Sequence, residues 1–432
     1  MRNTRREFLG GVLAACAADR VIASDGRELK KPAGGDKMPS AGLIEGMPVL
    51  MSPAPESMGV VFAVTSLAIG FAEVADNAEM KGARRFSVGK RGFLPCLDDR
   101  VLQVRMEDLR PSTRYWYRVG AQRKEYGVGL HSQMPKIEWS AVYSFVTPGN
   151  DAPSRFGMMS DTHGNFGQMS RITAKYRALG IPLVVWNGDI PLGMFNRKEE
   201  LVELCIVPPQ NAGYAAEVPI AVTRGNHDFR GAMATRLDEV LMPRPLSERS
   251  RRYATLERNF AFRMGEIAIV GLDTGEDKPD EHPANTLSEF TAYRRLQADW
   301  LQDQFKRPEI MNAPYIVVCA HIPLVATHAG ANPGIETEGW GYAEWHKECA
   351  DLWGPILTAN RVQLVLSGHL HKYSYTAATS VRPWAQIVGG GIGNQTYQTL
   401  VDCNVEGNEL VVWVYNTDAN TKVGEHHFAP RH

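Results

Sequence analysis

Cysteine is scarce in this 432-residue chain, with six in all and no two close enough to form a CxxC pair. Leaving Cys16 aside, Cys96, Cys205, Cys319, Cys349 and Cys403 are odd in number and far apart, which excludes both a thiolate zinc knuckle and a disulfide scaffold. Cys319 lies within the apolar run YIVVCAH and reads as a buried, inert thiol. No charge of one sign is in excess. Forty-seven Lys and Arg face 48 Asp and Glu, so no net field recruits nucleic acid or an anionic membrane, and no nucleic-acid binding is indicated. Internal repeats and low-complexity tracts are also missing. The length exceeds what one ordinary core serves and predicts two domains.

The N-terminus reads separately from the rest. TRREFLGGVLAACAAD places Arg5 and Arg6 before an apolar stretch over residues 8–18, too short to span a bilayer but suited to the core of a signal peptide over residues 1–24. The arginine pair followed by Phe8 and Leu9 resembles a twin-arginine export signal. LAAC at residues 13–16 resembles a bacterial lipobox, in which a lipidated Cys16 would be the one route to membrane attachment. The expected location is therefore the periplasm or cell surface. Residues 25–45, rich in Gly, Lys and Pro, read as a linker.

From 46 to 147 the chain consists of short β-type runs, VVFAVTS, AIGFAEVA, VLQVRM, TRYWYRVG and AVYSFVT, with no helical period between them. Tyr115, Tyr117 and Val119 alternate with Arg114, Trp116 and Arg118, as in a strand with one buried face. Several such runs within about a hundred residues predict an all-β sandwich. LRPSTRYWYRVG with the later YSFVTP resembles a fibronectin type III module, a structural spacer without chemistry of its own.

After the turn-rich TPGNDAPS at 147–154 the pattern changes. Apolar runs FGMMS, LVVWN, PIAVT, IAIVGL, YIVVCA and VQLVLS alternate with helical stretches near 168–179, 231–242, 287–306 and 345–360. This is the pattern of α/β layers over residues 155–432, with ligands held at the carboxyl ends of the strands. Those ends carry Asp161 and His163, Asp189, Asn226 to Asp228, His321, and His369 and His371. His227 and Asp228 aside, they supply two carboxylates, one amide oxygen and four imidazoles. Such a mixed N/O set suits two zinc, manganese or iron ions, and the lack of thiolates argues against a structural zinc site. Singly, each motif has an ordinary reading as a turn, a helix cap or a core histidine. Together, at successive strand ends, they point to one metal centre.

Asp161-x-His163, Gly188-Asp189, Gly225-Asn226-His227-Asp228, VCAH ending at His321, and Gly368-His369-x-His371 resemble, in order, the motifs of the calcineurin-like metallophosphoesterase superfamily. A β module before such a core is similar to the purple acid phosphatases. The resemblance implies a four-layer α/β/β/α sandwich holding two divalent ions. Carried over by motif, one ion takes Asp161, His163, Asp189 and His371, and the other Asp189, Asn226, His321 and His369, with Asp189 bridging. Ions about 3.5–4 Å apart polarise phosphoryl oxygens and generate hydroxide at neutral pH.

By the same resemblance His227 protonates the leaving alkoxide with Asp228 as its orienting partner; the alternative is that His227 only binds a phosphate oxygen. Asn226 would also meet substrate, and Arg224 or Arg230 could meet the phosphate. One departure is clear: purple acid phosphatases carry a tyrosine where this chain has Leu192, and Asp-x-Gly where it has His163. The rim loops hold Trp340, Tyr342 and Trp345, while LDTGEDKPD reads as an acidic surface loop. The expected activity is hydrolysis of a small-molecule phosphomonoester. A phosphodiesterase on nucleotides or lipid head groups and a non-catalytic cell-surface binding protein are the alternatives.

Overall fold

Alternation along the strands sets the layers. In Tyr315–Ala320, the side chains of Tyr315, Val317 and Cys319 enter one core, while Ile316, Val318 and Ala320 enter another. Val184–Asn187 behaves likewise, with Val185 on one side and Val184 and Trp186 on the other. Strands buried on both faces must lie in a sheet covered twice, and such sheets are mostly parallel. The computed structural model describes residues 21–22, 28–29, 42–126, 135–209, 213–245, 251–282, 287–334, 342–391 and 397–432. The export-signal residues, Cys16 and Trp340 lie outside them. Val21–Ile22 and Glu28–Leu29 form a small antiparallel pair in a unit of their own.

Within the unit from Gly42 to His432, two sheets face each other. The first has nine strands in the order Thr421–Phe428, Glu409–Asn416, Thr399–Glu406, Arg155–Met159, Val184–Asn187, Ile220–Thr223, Ile44–Ala54, Ser57–Val64 and Val101–Met106. The second has six, in the order Phe260–Met264, Ile267–Leu272, Tyr315–Ala320, Leu364–Ser367, Ala385–Val388 and Ser374–Thr376. Phe156, Met158 and Val185 of the first pack against Ile269, Val317, Leu366 and Ile387 of the second. Helices Phe166–Ala178 and Lys198–Cys205 cover the outer face of the first sheet through Ile172, Tyr176, Leu201 and Val202. Phe290–Phe305 and Lys347–Ala359 cover the second through Trp300, Leu301, Trp353 and Leu357. This is the expected four-layer α/β/β/α order. Among the described residues no helix is long and apolar enough to cross a membrane.

The N-terminal β-rich region is a sandwich in its packing. Strand Arg114–Arg123 turns Tyr115, Tyr117 and Val119 into a core with Val60, Phe62, Leu102 and Val104, following the alternation expected from sequence. Its inner sheet is also the far end of the nine-stranded sheet, where Met51 pairs with Ile220. Those three strands therefore serve two cores. Leu50, Val60 and Leu102 face the sandwich, and Val49, Met51, Val61 and Val101 face the helices.

One expected helix is absent. Residues 231–242 form only the short 3₁₀ segment Ala234–Glu239, non-helical at Arg236, and Pro243 and Pro245 oppose any extension.

Candidate metal centre

Five strand ends converge at one edge of the paired sheets. Asp161, His163, Asp189, His369 and His371 all have positive φ, between 45° and 70°. That backbone costs a residue with a side chain about 1–3 kcal/mol and persists where surrounding contacts enforce it. The contacts are visible. His369 N–H donates to Asp161 Oδ1 at 2.9 Å, joining the first motif to the last, and His227 N–H donates to Asp189 Oδ1 at 2.9 Å. Gly225 is required by close approach: a Cβ there would lie 2.3 Å from Asp189 Oδ1.

The donor atoms of Asp161, His163, Asp189 and His371 lie within 4.8 Å of one another, as do those of Asp189, His321 and His369. Asp189 belongs to both groups. Asn226 Oδ1 joins the second, 2.9 Å from His369 Nδ1. The seven residues expected to bind metal are thus brought together as two sets sharing one carboxylate.

Protonation tests whether cations fit. A backbone carbonyl can only accept, so a ring nitrogen facing one must carry the proton. His163 Nδ1 faces Pro191 O at 2.9 Å, His321 Nδ1 faces Asn187 O at 2.7 Å, and His369 Nε2 faces Ala343 O at 2.7 Å. In each neutral ring the other nitrogen then presents a lone pair inward. His163 Nε2 lies 3.0 Å from His371 Nε2, His321 Nε2 3.3 Å from Asp189 Oδ2, and His369 Nδ1 against the amide oxygen of Asn226. Lone pairs facing lone pairs and carboxylates repel unless a cation sits among them, and His321 Nε2 is buried with no hydrogen-bond partner. Burial lowers the basicity of His163, His369 and His371; at His321 burial is outweighed by Asp189 and Asp161, which push it up to about 10, so without a cation its Nε2 would take up a proton toward Asp189 rather than keep the lone pair bare. Burial also raises Asp161. The cluster calls for positive charge, and divalent cations meet that demand.

Three expectations need correction. Asp228 does not touch His227. Its carboxylate accepts from the backbone N–H groups of Gly225 (2.8 Å), Asp189 (2.9 Å) and Ile190 (3.2 Å), while His227 Nδ1 faces Gly193 O at 3.0 Å. Asp228 shapes the loop and does not orient the imidazole. Arg224 is not free for phosphate, because its Nε and Nη2 bind buried Asp273 at 3.0 and 2.9 Å. Arg230 likewise binds Glu276 at 2.7 and 2.6 Å and Asp277 at 3.1 Å. The supposed acidic surface loop is therefore buried at Asp273, Glu276 and Asp277, as the counter-charge to these two arginines.

Gly390, where a Cβ would lie 2.0 Å from Asp161 Oδ2, has no signature in the sequence, and Tyr342 was placed only in a rim loop. The Tyr342 ring stacks on His369 at 4.7 Å between centroids, and its hydroxyl donates to His369 O. Trp345 is tied by Nε1 to Ala331 O at 3.2 Å.

Residues 154–373, just over half of the chain, match the calcineurin-like phosphoesterases, and all five motif segments fall within them. The chain belongs to the calcineurin-like phosphoesterase family. As a family member it is a metal-dependent phosphoesterase. Its fold is similar to that of the purple acid phosphatase PPD1 from yellow lupin (Lupinus luteus) seeds, with a TM-score of 0.61 at 13% identity over 88% of this chain and 74% of that one. A dimetal phosphatase from Danio rerio aligns over 64% of this chain and 99% of its own, at 15% identity and a TM-score of 0.45. No curated protein sequence matches the chain.

Proposed function

We propose that this phosphoesterase is an exported phosphomonoesterase in which His227 protonates the departing alkoxide. The placement of His227 carries the reading. Its Nδ1–H is held by Gly193 O, so Nε2 is the atom left to work, 3.8 Å from the shared Asp189 Oδ2. Its side chain is 22% exposed, close to the 27% of His371, whereas those of His321 and His163 are 0% and 3% exposed. The imidazole thus stands on the solvent side of the cluster, where an alcohol would leave. Asp161, His163, Asp189 and His371 would hold one divalent cation, and Asp189, Asn226, His321 and His369 the other. When bound, such a pair polarises phosphoryl oxygens and acidifies a water for attack. Asn226 and His227 would contact the phosphoryl group beside it.

Replacing His227 with Ala tests the proton donor. The variant is expected to keep its metal and to lose about 10²–10⁴-fold in turnover of esters with poor leaving groups, with a smaller loss for acidic phenols. An equal loss across leaving groups would assign His227 to phosphate binding instead. Burial, helped by Arg230 and opposed by Asp189, holds His227 below its usual 6.5. The donor form is therefore lost at a lower pH than in a free imidazole, so rates on poor leaving groups begin to fall already on the acid side of 6.5 as pH rises. This fall should vanish in the variant.

Export rests on Arg5, Arg6 and the apolar stretch after them. Changing both arginines to Lys is expected to retain the precursor inside the cell; unchanged export would remove the twin-arginine reading. A mature protein starting at a lipidated Cys16 would be membrane-attached, and mass spectrometry of the mature N-terminus decides this.

A further inference from the structure

The loop that positions two of the site's imidazoles also carries exposed apolar side chains. Pro191 O holds His163 and Gly193 O holds His227, so Leu192 is bracketed by the two ring contacts. Those rings lie 5.1 Å apart between centroids. Leu192 is nonetheless 69% exposed, and Met194, one residue past Gly193, is 50% exposed. Large apolar side chains left open on the loop whose carbonyls hold His163 and His227 form a surface that gains by being covered. Across the cluster, Tyr342 is 49% exposed while its ring lies on His369. The two arginines nearest His227 in sequence are bound to carboxylates, so neither offers a charge to a second phosphate or a polar leaving group.

We propose, building on the monoesterase reading, that the preferred substrates are phosphate esters of apolar alcohols, with Leu192 and Met194 receiving the departing group beside His227. The ester oxygen that accepts the His227 proton would have its hydrocarbon against these two side chains. The product alcohol would leave past them.

Benzyl, hexyl and glycerol phosphates separate a flat ring, a chain and a polar group at similar leaving-group chemistry. The protein is expected to show a higher kcat/KM for the benzyl or hexyl ester than for glycerol phosphate, and the favoured one of the two tells ring from chain. Leu192→Ser with Met194→Ser should cut that preference about ten-fold. Leu192→Ile with Met194→Leu should keep it, and Val381→Ser, at another residue that is 87% exposed, should not change it. Equal kcat/KM for all three esters, or a preference that survives the double serine change, would overturn the proposal. If the metal-loaded protein hydrolyses none of them, the monoesterase reading fails on its own. Calorimetric binding of benzylphosphonate against methylphosphonate then decides: tighter benzylphosphonate binding that the double serine change abolishes supports the apolar site, and equal binding overturns it.

Discussion

Asp228 gathers the N–H groups of Gly225, Asp189 and Ile190 onto one carboxylate, and this fixes the turn from which Asp189 reaches both halves of the cluster. Asp228→Ala would leave three buried donors without an acceptor, at about 1–3 kcal/mol each in an unrelaxed site. The expected result is loss of stability and of metal together, with the pH profile of any remaining activity unchanged. A shifted profile with normal metal content would instead restore Asp228 as a partner of His227. At this scale the sequence was most legible for the metal-ligand candidates, because chemically unusual residues at strand ends have few structural uses. It was less legible for Asp228, Arg224 and Arg230. Their direction depends on which backbone N–H groups and which carboxylates of residues 273–277 are nearby, and no local pattern carries that. Gly390 was hidden for the same reason, since its need for a bare Cα comes from Asp161, far away in the chain.

Among the elements, six of the parallel strands and three of the four expected helices follow from apolar runs and periodicity, because burial on two faces leaves a strong imprint, whereas the parallel strand Ala385–Val388 was not read. Lys198–Cys205 and the C-terminal strands Thr399–Glu406, Glu409–Asn416 and Thr421–Phe428 were not read, the last being largely exposed and polar. Sheet register creates interactions that composition alone does not reveal. Glu73 stands opposite Arg85 on one neighbouring strand and Arg118 on the other, and bonds both at 2.7 Å, with Arg118 lying over the Trp139 ring. Burial raises Glu73, but the two arginines outweigh it and hold the carboxyl below its usual 4.5. A folded-state value below the unfolded one gives stability that is full above about 4.5 and fades as pH falls through the folded value. Glu73→Gln is therefore expected to cost about 1–3 kcal/mol at pH 7 in denaturant unfolding, and progressively less below pH 4.5. A cost independent of pH would show that the guanidiniums, and not the ionised carboxylate, hold these strands.

On the scale of the whole molecule, the β-rich region and the α/β layers were expected as neighbours in sequence, but the shared nine-stranded sheet was not foreseen. Ile44–Ala54 begins inside the expected linker and had no run of its own among the expected strands, its apolar residues being divided between two cores; the pairing of Met51 with Ile220 shows that it extends the sheet that carries the site. The sandwich thus buttresses the sheet edge from which Asn226 and His227 emerge. A two-cation centre assembled from five strand ends makes activity depend on metal in a countable way. Metal-stripped protein is titrated with manganese or zinc while hydrolysis of an aryl phosphate is followed, beside the His321→Ala variant. Expected are no activity without metal, full activity at two equivalents per chain, and weakened uptake with low activity in the variant. Full activity in stripped protein, or two tightly held ions and normal turnover in His321→Ala, would rule out a two-cation centre built on these strand ends.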